Sequence, residues 1–391
     1  MTPSRAQIAA VLGLLAAFGP LSIDMYLPAL PTIGEALGSG TEGAQATLAT
    51  FFLGMAAGQL VHGPLADRYG RRRPLLAALI LYTGASVACA LATEMGWLIA
   101  LRLLQALGAC AGMVIARAVV RDLADRFDPV RMMARLMLVM GAAPILAPLL
   151  GGWVAWAAGW RGIFWFLALV GLAAVLACWR GLPETLPPER RRRVPLTQVL
   201  GGYALLLRDR HFMGTALASG FALAGMFAYI AGSPFVFIRL HGIAPENYGW
   251  FFGAAAAGVI GFGQLSGPLA ERLGRPRLFG LALTALAAAG ALVALAALLG
   301  LGFWPLYVAL LLYTSALGAI LPIGTVLAIQ PYGQMAGTAS ALIGTVQFGL
   351  GAVLGGALSL LHDGTALPMA GLVGLAGMLA LLSWRRLRAV T

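Results

Sequence analysis

The sequence predicts an all-α integral membrane protein, with twelve transmembrane helices forming two parallel-repeat six-helix bundles. Three observations carry this prediction. First, of 391 residues 60% are hydrophobic and only 10% charged, whereas soluble domains carry about 25% charged residues. Second, the apolar residues fall in long runs with short polar turns between them, and a spanning helix needs about 20 residues at ~1.5 Å rise each. Third, Gly63-Pro64-Leu65-Ala66-Asp67-Arg68-Tyr69-Gly70-Arg71-Arg72-Arg73 returns as Gly267-Pro268-Leu269-Ala270-Glu271-Arg272-Leu273-Gly274-Arg275-Pro276-Arg277. The offset is 204 residues, eight of eleven positions are identical, and the acid is kept. A short stretch repeated at just over half the chain length marks two copies of one unit. Leu150-Gly151-Gly152 and Leu354-Gly355-Gly356 recur at the same offset.

Taken in order, the first span covers roughly 6–29. Arg5 ahead of an apolar run imitates a secretory leader, but the run continues past Asp24 to Leu30, too long for a leader core. Span two (roughly 44–64) ends at the motif, span three (74–93) opens on Pro74, and Thr93-Glu94-Met95 turns into span four (97–118). A hydrophilic loop follows with Arg121, Asp122, Asp125, Arg126, Asp128, Arg131 and Arg135. Gly159-Trp160-Arg161 separates span five (roughly 136–156) from span six (162–180). Residues 181–210, with Pro183, Pro187, Pro188, Arg190 to Arg193 and Pro195, form a hydrophilic linker. The second half holds spans at roughly 212–238, 248–269, 278–300, 303–327, 337–361 and 366–384. The expected organisation is 1–181 and 211–391 as six-helix bundles, with 182–210 as a cytoplasmic linker.

The net charge of +12 would point to nucleic acid in a soluble protein, but here it reads as topology. All 26 basic residues are Arg, and placing the N-terminus in the cytoplasm puts 23 of them on that side. Arg161 and Arg239 fall outside with Glu35, Glu42, Glu94, Glu246 and Asp363. Both termini are therefore expected in the cytoplasm. Cys89, Cys110 and Cys178 sit in apolar runs with no metal or disulfide pattern. No phosphate loop exists, and no Lys to build one, which excludes an ATP-driven pump within this chain. No nucleophile–base or metal signature marks an enzyme, and no cofactor is expected.

The motif at Gly63, Leu65, Asp67, Arg68, Gly70 and Arg71 resembles the loop between helices two and three of major facilitator superfamily transporters. Arg102, Gln105 and Gly108 resemble that superfamily's embedded arginine motif. Pro144, Pro148, Gly151 and Gly152 resemble the proline–glycine motif of its drug/proton antiporters, with Ala147 where the motif has Gly. Asp24 to Pro31, Arg117 to Asp122 and Gly159-Trp160-Arg161 resemble the Bcr/CflA drug-resistance branch. The resemblance spans nearly the whole chain. It implies a multi-pass protein of the bacterial inner membrane, working as a monomer on protons and a small drug-like molecule, with the span-five motif either sealing against leak or serving generic helix packing.

Individual residues sharpen this. Asp24 is the only carboxylate well inside a span. Charge at the bilayer centre costs roughly 2.5–3.5 kcal/mol on insertion scales, so such a group is read as functional. Burial favours its neutral form, which suits proton exchange. Gly19-Pro20 and Pro28 predict an irregular helix there. Arg102 is the only basic residue deep in a span and stays charged. It tunes Asp24, holds a water chain or competes with a cationic drug for the carboxylate, or else it anchors a helix onto backbone carbonyls. Adding 204 gives Ala228 and Leu306, so proton coupling is expected in the first half alone. Tyr26, Gln105, Phe227, Tyr229, Phe235, Gln347 and Phe348 are candidate cavity residues, with plain packing as their alternative.

The two motif copies, with Gly63, Asp67, Arg68, Gly70, Arg71, Gly267, Glu271, Arg272 and Gly274, read as a cytoplasmic latch that Arg121-Asp122 can join. In that latch Asp67 pairs with an arginine or caps a helix of the other half, while Gly63 and Gly70 permit tight turns. His62 is either a proton relay or a structural residue. The function expected is proton-coupled efflux of small amphipathic drugs by alternating access. A proton-coupled carrier of a nutrient or metabolite, by symport or by export, is the alternative, and a non-transporting receptor is the third.

Overall fold

The computed structural model describes residues 5–123, 129–191 and 196–388. Asp125, Arg126 and Asp128 of the loop, and Arg192, Arg193 and Pro195 of the linker, lie outside the described residues, as do the side chains of Arg131, Arg135 and Arg190. Among the described residues there are helices and no strand. In order they are α1 (Arg5–Asp24), α2 (Leu30–Ala36), α3 (Gly40–Tyr69), α4 (Arg72–Ala90), α5 (Met95–Asp122), α6 (Pro129–Gly181), α7 (Leu196–Arg208), α8 (Arg210–Pro234), α9 (Pro245–Leu273), α10 (Arg275–Leu298), α11 (Phe303–Ile329), α12 (Ala336–Leu360) and α13 (Leu367–Arg388).

Among the described residues ten helical segments are long and apolar enough to cross a membrane. One of them lies in the 53-residue α6, which bends at Gly159 (φ 68°, ψ 179°) into two arms. That left-handed backbone suits glycine alone and turns the chain without a loop. α9 is 29 residues long but less apolar, with Asn247 and Gln264 among its glycines and alanines. Two arms for α6 and the addition of α9 bring ten crossings to twelve. An even number returns the chain to the side where α1 starts. That side carries the Gly63 motif and is called the motif face below.

Both motif copies close a helix, as α3 stops at Gly70 (φ 90°) and α9 at Gly274 (φ 79°). Gly63, expected at a turn, instead lies inside α3 one residue before Pro64. Proline there removes one backbone donor, a loss that membrane helices tolerate, so α3 runs on to Tyr69. The linker also departs from expectation, because it contains α7. Leu206 of α7 packs with Phe212, Ala216, Ala328, Ala339, Leu342 and Ile343 at the motif-face ends of α8, α11 and α12. Asp209 then caps α8 by accepting from the Phe212 amide at 2.9 Å. Leu200, Leu205 and Leu207 on α7 stay exposed, as on a helix lying along a membrane surface.

The halves meet mainly where α3 packs on α12 and the first arm of α6 packs on α9. The contacts between them run from the far face to past the middle of the helices, where Gly344 meets Gln59 and Gly141 meets Ile260. Ser359 donates to the Glu42 carbonyl at 2.8 Å, and Thr345 to that of Ala56 at 3.3 Å. Gly249 faces Leu149, and Gly152 faces Pro245 and Glu246. At the far face Arg239 bonds Glu35. These two residues stand one repeat offset apart, 204 positions, as residues related by the pseudo-two-fold axis of a parallel repeat do.

Candidate functional site

The site begins with a broken helix. α1 carries Pro20 and ends at Asp24, and a 3₁₀ turn over Leu27–Ala29 leads into α2. The break fulfils the expectation drawn from Gly19-Pro20 and Pro28. It frees backbone groups in the bundle interior that need partners. Arg102 supplies one: its Nη2 donates to the Ser22 carbonyl at 2.9 Å. Its Nη1 donates to Gln105 Oε1 at 2.6 Å, and Gln105 Nε2 donates to Ser86 Oγ at 2.8 Å. Aromatic faces complete the cage, with the guanidinium carbon 4.6 Å from the Tyr26 ring centre, 4.3 Å from Phe51 and 5.9 Å from Phe164. Tyr26 Oη in turn bonds Thr47 at 2.9 Å, and Ser22 Oγ bonds Tyr82 at 2.7 Å.

Arg102 therefore does not pair with Asp24. Of the roles open to it from the sequence, its contacts are those of the anchor: a fully buried cation held by a carbonyl, an amide and π faces. Tyr26 and Gln105, offered as cavity residues, belong to that anchor. Ser22, Thr47, Tyr82 and Ser86 were missed, because polar residues scattered over three helices, α1, α3 and α4, show no shared pattern in the sequence.

Asp24 is the only buried carboxylate among the described residues, 4% exposed. Within that set it has no hydrogen bond or ion pair. Tyr229 on α8 and Tyr248 on α9, both from the other half, lie within electrostatic reach. Tyr248 Oη bonds Ser233 at 2.8 Å, whereas Tyr229 Oη is buried with no hydrogen-bond partner among the described residues. Phe227, also on α8, stacks on Phe52 of the first half (4.2 Å between ring centres) and on Phe348 of α12 (5.4 Å). Gln347 and every residue from 344 to 350 are half-buried. Toward the far face the crevice between Leu30, Gln45, Ala231, Pro234 and Phe235 holds only about 10 Å³, room for one water. Phe235 lies in that wall and meets the His362 ring edge-on.

The span-five motif bears on this place directly. Gly151 faces the Met25 backbone, next to Asp24; a methyl there would stand 2.7 Å from the Met25 carbonyl carbon and closer to its oxygen. Gly152 faces α9, while Pro148 is buried and Pro144 half-buried on the same arm. Gly151→Ala is therefore expected to push the α1 break off α6. Overpacking of this kind costs about 1–3 kcal/mol, to be read as a lower thermal midpoint together with lost transport. Gly356→Ala meets no atom within 4 Å and is expected to change neither. Equal behaviour of the two variants contradicts this account.

The motif itself forms a network. Arg71 bonds Asp67 at 2.5 Å and Asp122 at 2.8 Å, and Thr185 donates to Asp122 at 3.0 Å. Burial works against the charged form of Arg71, but its bonds to Asp122 and Asp67 outweigh this and hold the guanidinium above its ordinary range. Glu184 accepts from the Arg71 and Arg72 amides at 2.8 and 3.3 Å, at the N-terminus of α4. An anion is favoured at that end of a helix. Neither Glu184 nor Thr185 was singled out beforehand, although an acid directly after span six was a readable hint. Arg68 lies over Tyr69. In the second copy Glu271 and Arg272 are exposed, and Arg275 reaches Gln330 at 3.5 Å. His62 Nε2 donates to the Leu107 carbonyl at 2.8 Å, a contact between α3 and α5 that fits the structural alternative.

A broken first helix, an interior acid at the seam of two six-helix halves and a duplicated charged loop make a specific combination. The family model described as Major Facilitator Superfamily matches residues 12–356. The chain belongs to that superfamily. It is thus a membrane transporter and not an enzyme, and its relatives place it in the Bcr/CflA branch. The bicyclomycin resistance protein homolog of Haemophilus influenzae is 31% identical, over 95% of this chain and 94% of that protein. The chloramphenicol resistance protein of Pseudomonas aeruginosa is 31% identical, over 93% and 87%. The crystal structure of a D-xylose-proton symporter superposes with a TM-score of 0.76 at 15% identity, covering 97% of both chains. At that identity it speaks for the fold alone.

Proposed function

We propose that the protein is a proton-coupled antiporter that exports small amphipathic drugs across the inner membrane by alternating access. The observation carrying this is Asp24, a buried acid at the seam between the halves with no counter-ion among the described residues. A carboxyl there alternates between a proton and a cargo at low cost, since neither exchange breaks an ion pair. Relatives named for resistance to bicyclomycin and chloramphenicol support the substrate class. The aromatic seam of Phe52, Phe227, Phe348 and Tyr229 supports amphipathic cargo.

In this reading residues 1–181 and 211–391 rock as two bodies joined by 182–210, and the motif face is cytoplasmic, as its arginines favour. Inward movement of each proton releases ~2.3 kcal/mol per 100 mV, no cofactor takes part, and the working unit is a monomer. In proteoliposomes with an acidic lumen the protein is expected to accumulate an amphipathic drug inside while the pH gradient discharges. Drug leaving the lumen together with protons would overturn antiport in favour of symport.

A further inference from the structure

A second cavity lies away from the seam. It measures about 490 Å³ and sits between α10 and α13 at the motif face, lined by Arg277, Gly280, Leu281, Thr284, Leu381, Trp384 and Arg385. Both helices make their main packing contacts within the second half, on each other and on α8 or α11. The cavity is therefore no part of the passage between the halves.

Its lining is graded. Arg277 stands in the first turn of α10, and Thr284 lies ~10 Å deeper along the axis at 1.5 Å per residue. Arg385 stands at the end of α13, so two exposed guanidinium groups mark the rim, and no carboxylate among the described residues lines the cavity. Trp384 is fixed by an edge contact with Phe279 at 4.8 Å. Its indole nitrogen faces Gly280, where a methyl would come within 3.1 Å, so the glycine keeps the groove open. The Thr284 hydroxyl donates to the Gly280 carbonyl at 2.9 Å, which leaves the two arginines as the charged donors. Leu281 is exposed toward the lipid. A charged rim, an interfacial tryptophan and an apolar lower wall reproduce the polarity gradient of one leaflet. Planar guanidinium forks match phosphate oxygens, and basic pockets between membrane helices on this side receive lipid head groups.

We infer that this groove is a binding site for an anionic phospholipid, with its phosphodiester held by Arg277 and Arg385 and an acyl chain along Leu281 and Leu381. Free phosphate satisfies the rim but leaves the apolar wall uncovered. A zwitterionic lipid covers the wall but brings its own cation to the arginines.

Native mass spectrometry of the purified full chain tests this with phosphatidylglycerol, phosphatidylcholine and inorganic phosphate as probes. The wild type is expected to retain phosphatidylglycerol through delipidation and to lose phosphatidylcholine. Each guanidinium contributes roughly fivefold in affinity, so R277Q/R385Q is expected to bind phosphatidylglycerol about twenty-five-fold more weakly. R277K/R385K keeps the charge and is expected to retain most of the binding. R272Q, on the same face outside the groove, is expected to match wild type, and unchanged thermal midpoints certify that all variants fold. Equal phosphatidylglycerol retention by R277Q/R385Q, equal retention of phosphatidylcholine by the wild type, or full displacement by inorganic phosphate overturns the assignment.

Discussion

Asp24→Asn is expected to abolish proton-driven drug movement while the protein still folds, inserts and binds drug. The substitution keeps shape and polarity and removes only the ability to exchange a proton. No described residue forms a hydrogen bond or ion pair with Asp24, so the change strands no partner. Charge in a span carries a penalty of roughly 2.5–3.5 kcal/mol, and the amide never incurs it. The thermal midpoint is therefore expected to stay level or rise, which separates loss of chemistry from loss of structure. Drug binding is expected to depend on pH in the wild type and to become independent of it in the variant. Asp24→Glu is expected to recover part of the transport, because it restores the titrating group displaced by one methylene. Arg102→Gln supplies the contrast. It empties the cage around the Ser22 carbonyl and is expected to lower the midpoint, since a buried polar group left unpaired costs ~1–3 kcal/mol. Undiminished gradient-driven efflux by Asp24→Asn removes this residue from the coupling mechanism.

The extent to which the sequence foretold this arrangement follows from the range of each interaction. The break at Asp24 was legible because glycine and proline act on their own backbone. The ends of α3 and α9 at Gly70 and Gly274 were legible for the same reason, as was the polar boundary of each span. Contacts between helices were not. Arg102 and Asp24 looked like partners because they are the two charges deep in the first half, yet the direction of Arg102 is set by how α5 packs on α1 and α3, and there a freed carbonyl and three rings surround it. α7 was hidden inside a proline- and arginine-rich stretch, and only its packing on Phe212 and Leu342 gives it a reason to be helical. The pairing of Glu35 with Arg239 escaped notice because each residue alone reads as an ordinary surface charge. The repeat offset that joins them was already known from the motif, and applying it to charged residues would have revealed the pair.

Within the motif, stability and switching are expected to separate between two of its charges. The Arg71 side chain is 7% exposed and that of Asp122 15%, while Asp67 is 49% exposed. Removing one partner of a buried pair leaves the other charge uncompensated, at ~3–5 kcal/mol. Arg71→Leu is thus expected to lower the thermal midpoint substantially, because Asp122 is left with Thr185 alone among its named partners. Adding Asp122→Leu to Arg71→Leu is expected to recover most of that loss, since the stranded charge is then gone too, and such non-additivity is the mark of a direct pair. Asp67→Asn behaves differently: a half-exposed ion pair contributes only about 0–1 kcal/mol, so the fold is expected to survive unchanged. What Asp67 retains is an exposed carboxylate at the end of α3, on the motif face beyond the contact of Gln59 with Gly344. Closing the motif face would bring the second half toward it, so its removal is expected to shift the balance between the two open states. Distance measurements between spin labels on α3 and α12 at the motif face read that balance directly. A large stability loss in Asp67→Asn, or an unchanged distance distribution with altered drug preference, would place the latch elsewhere.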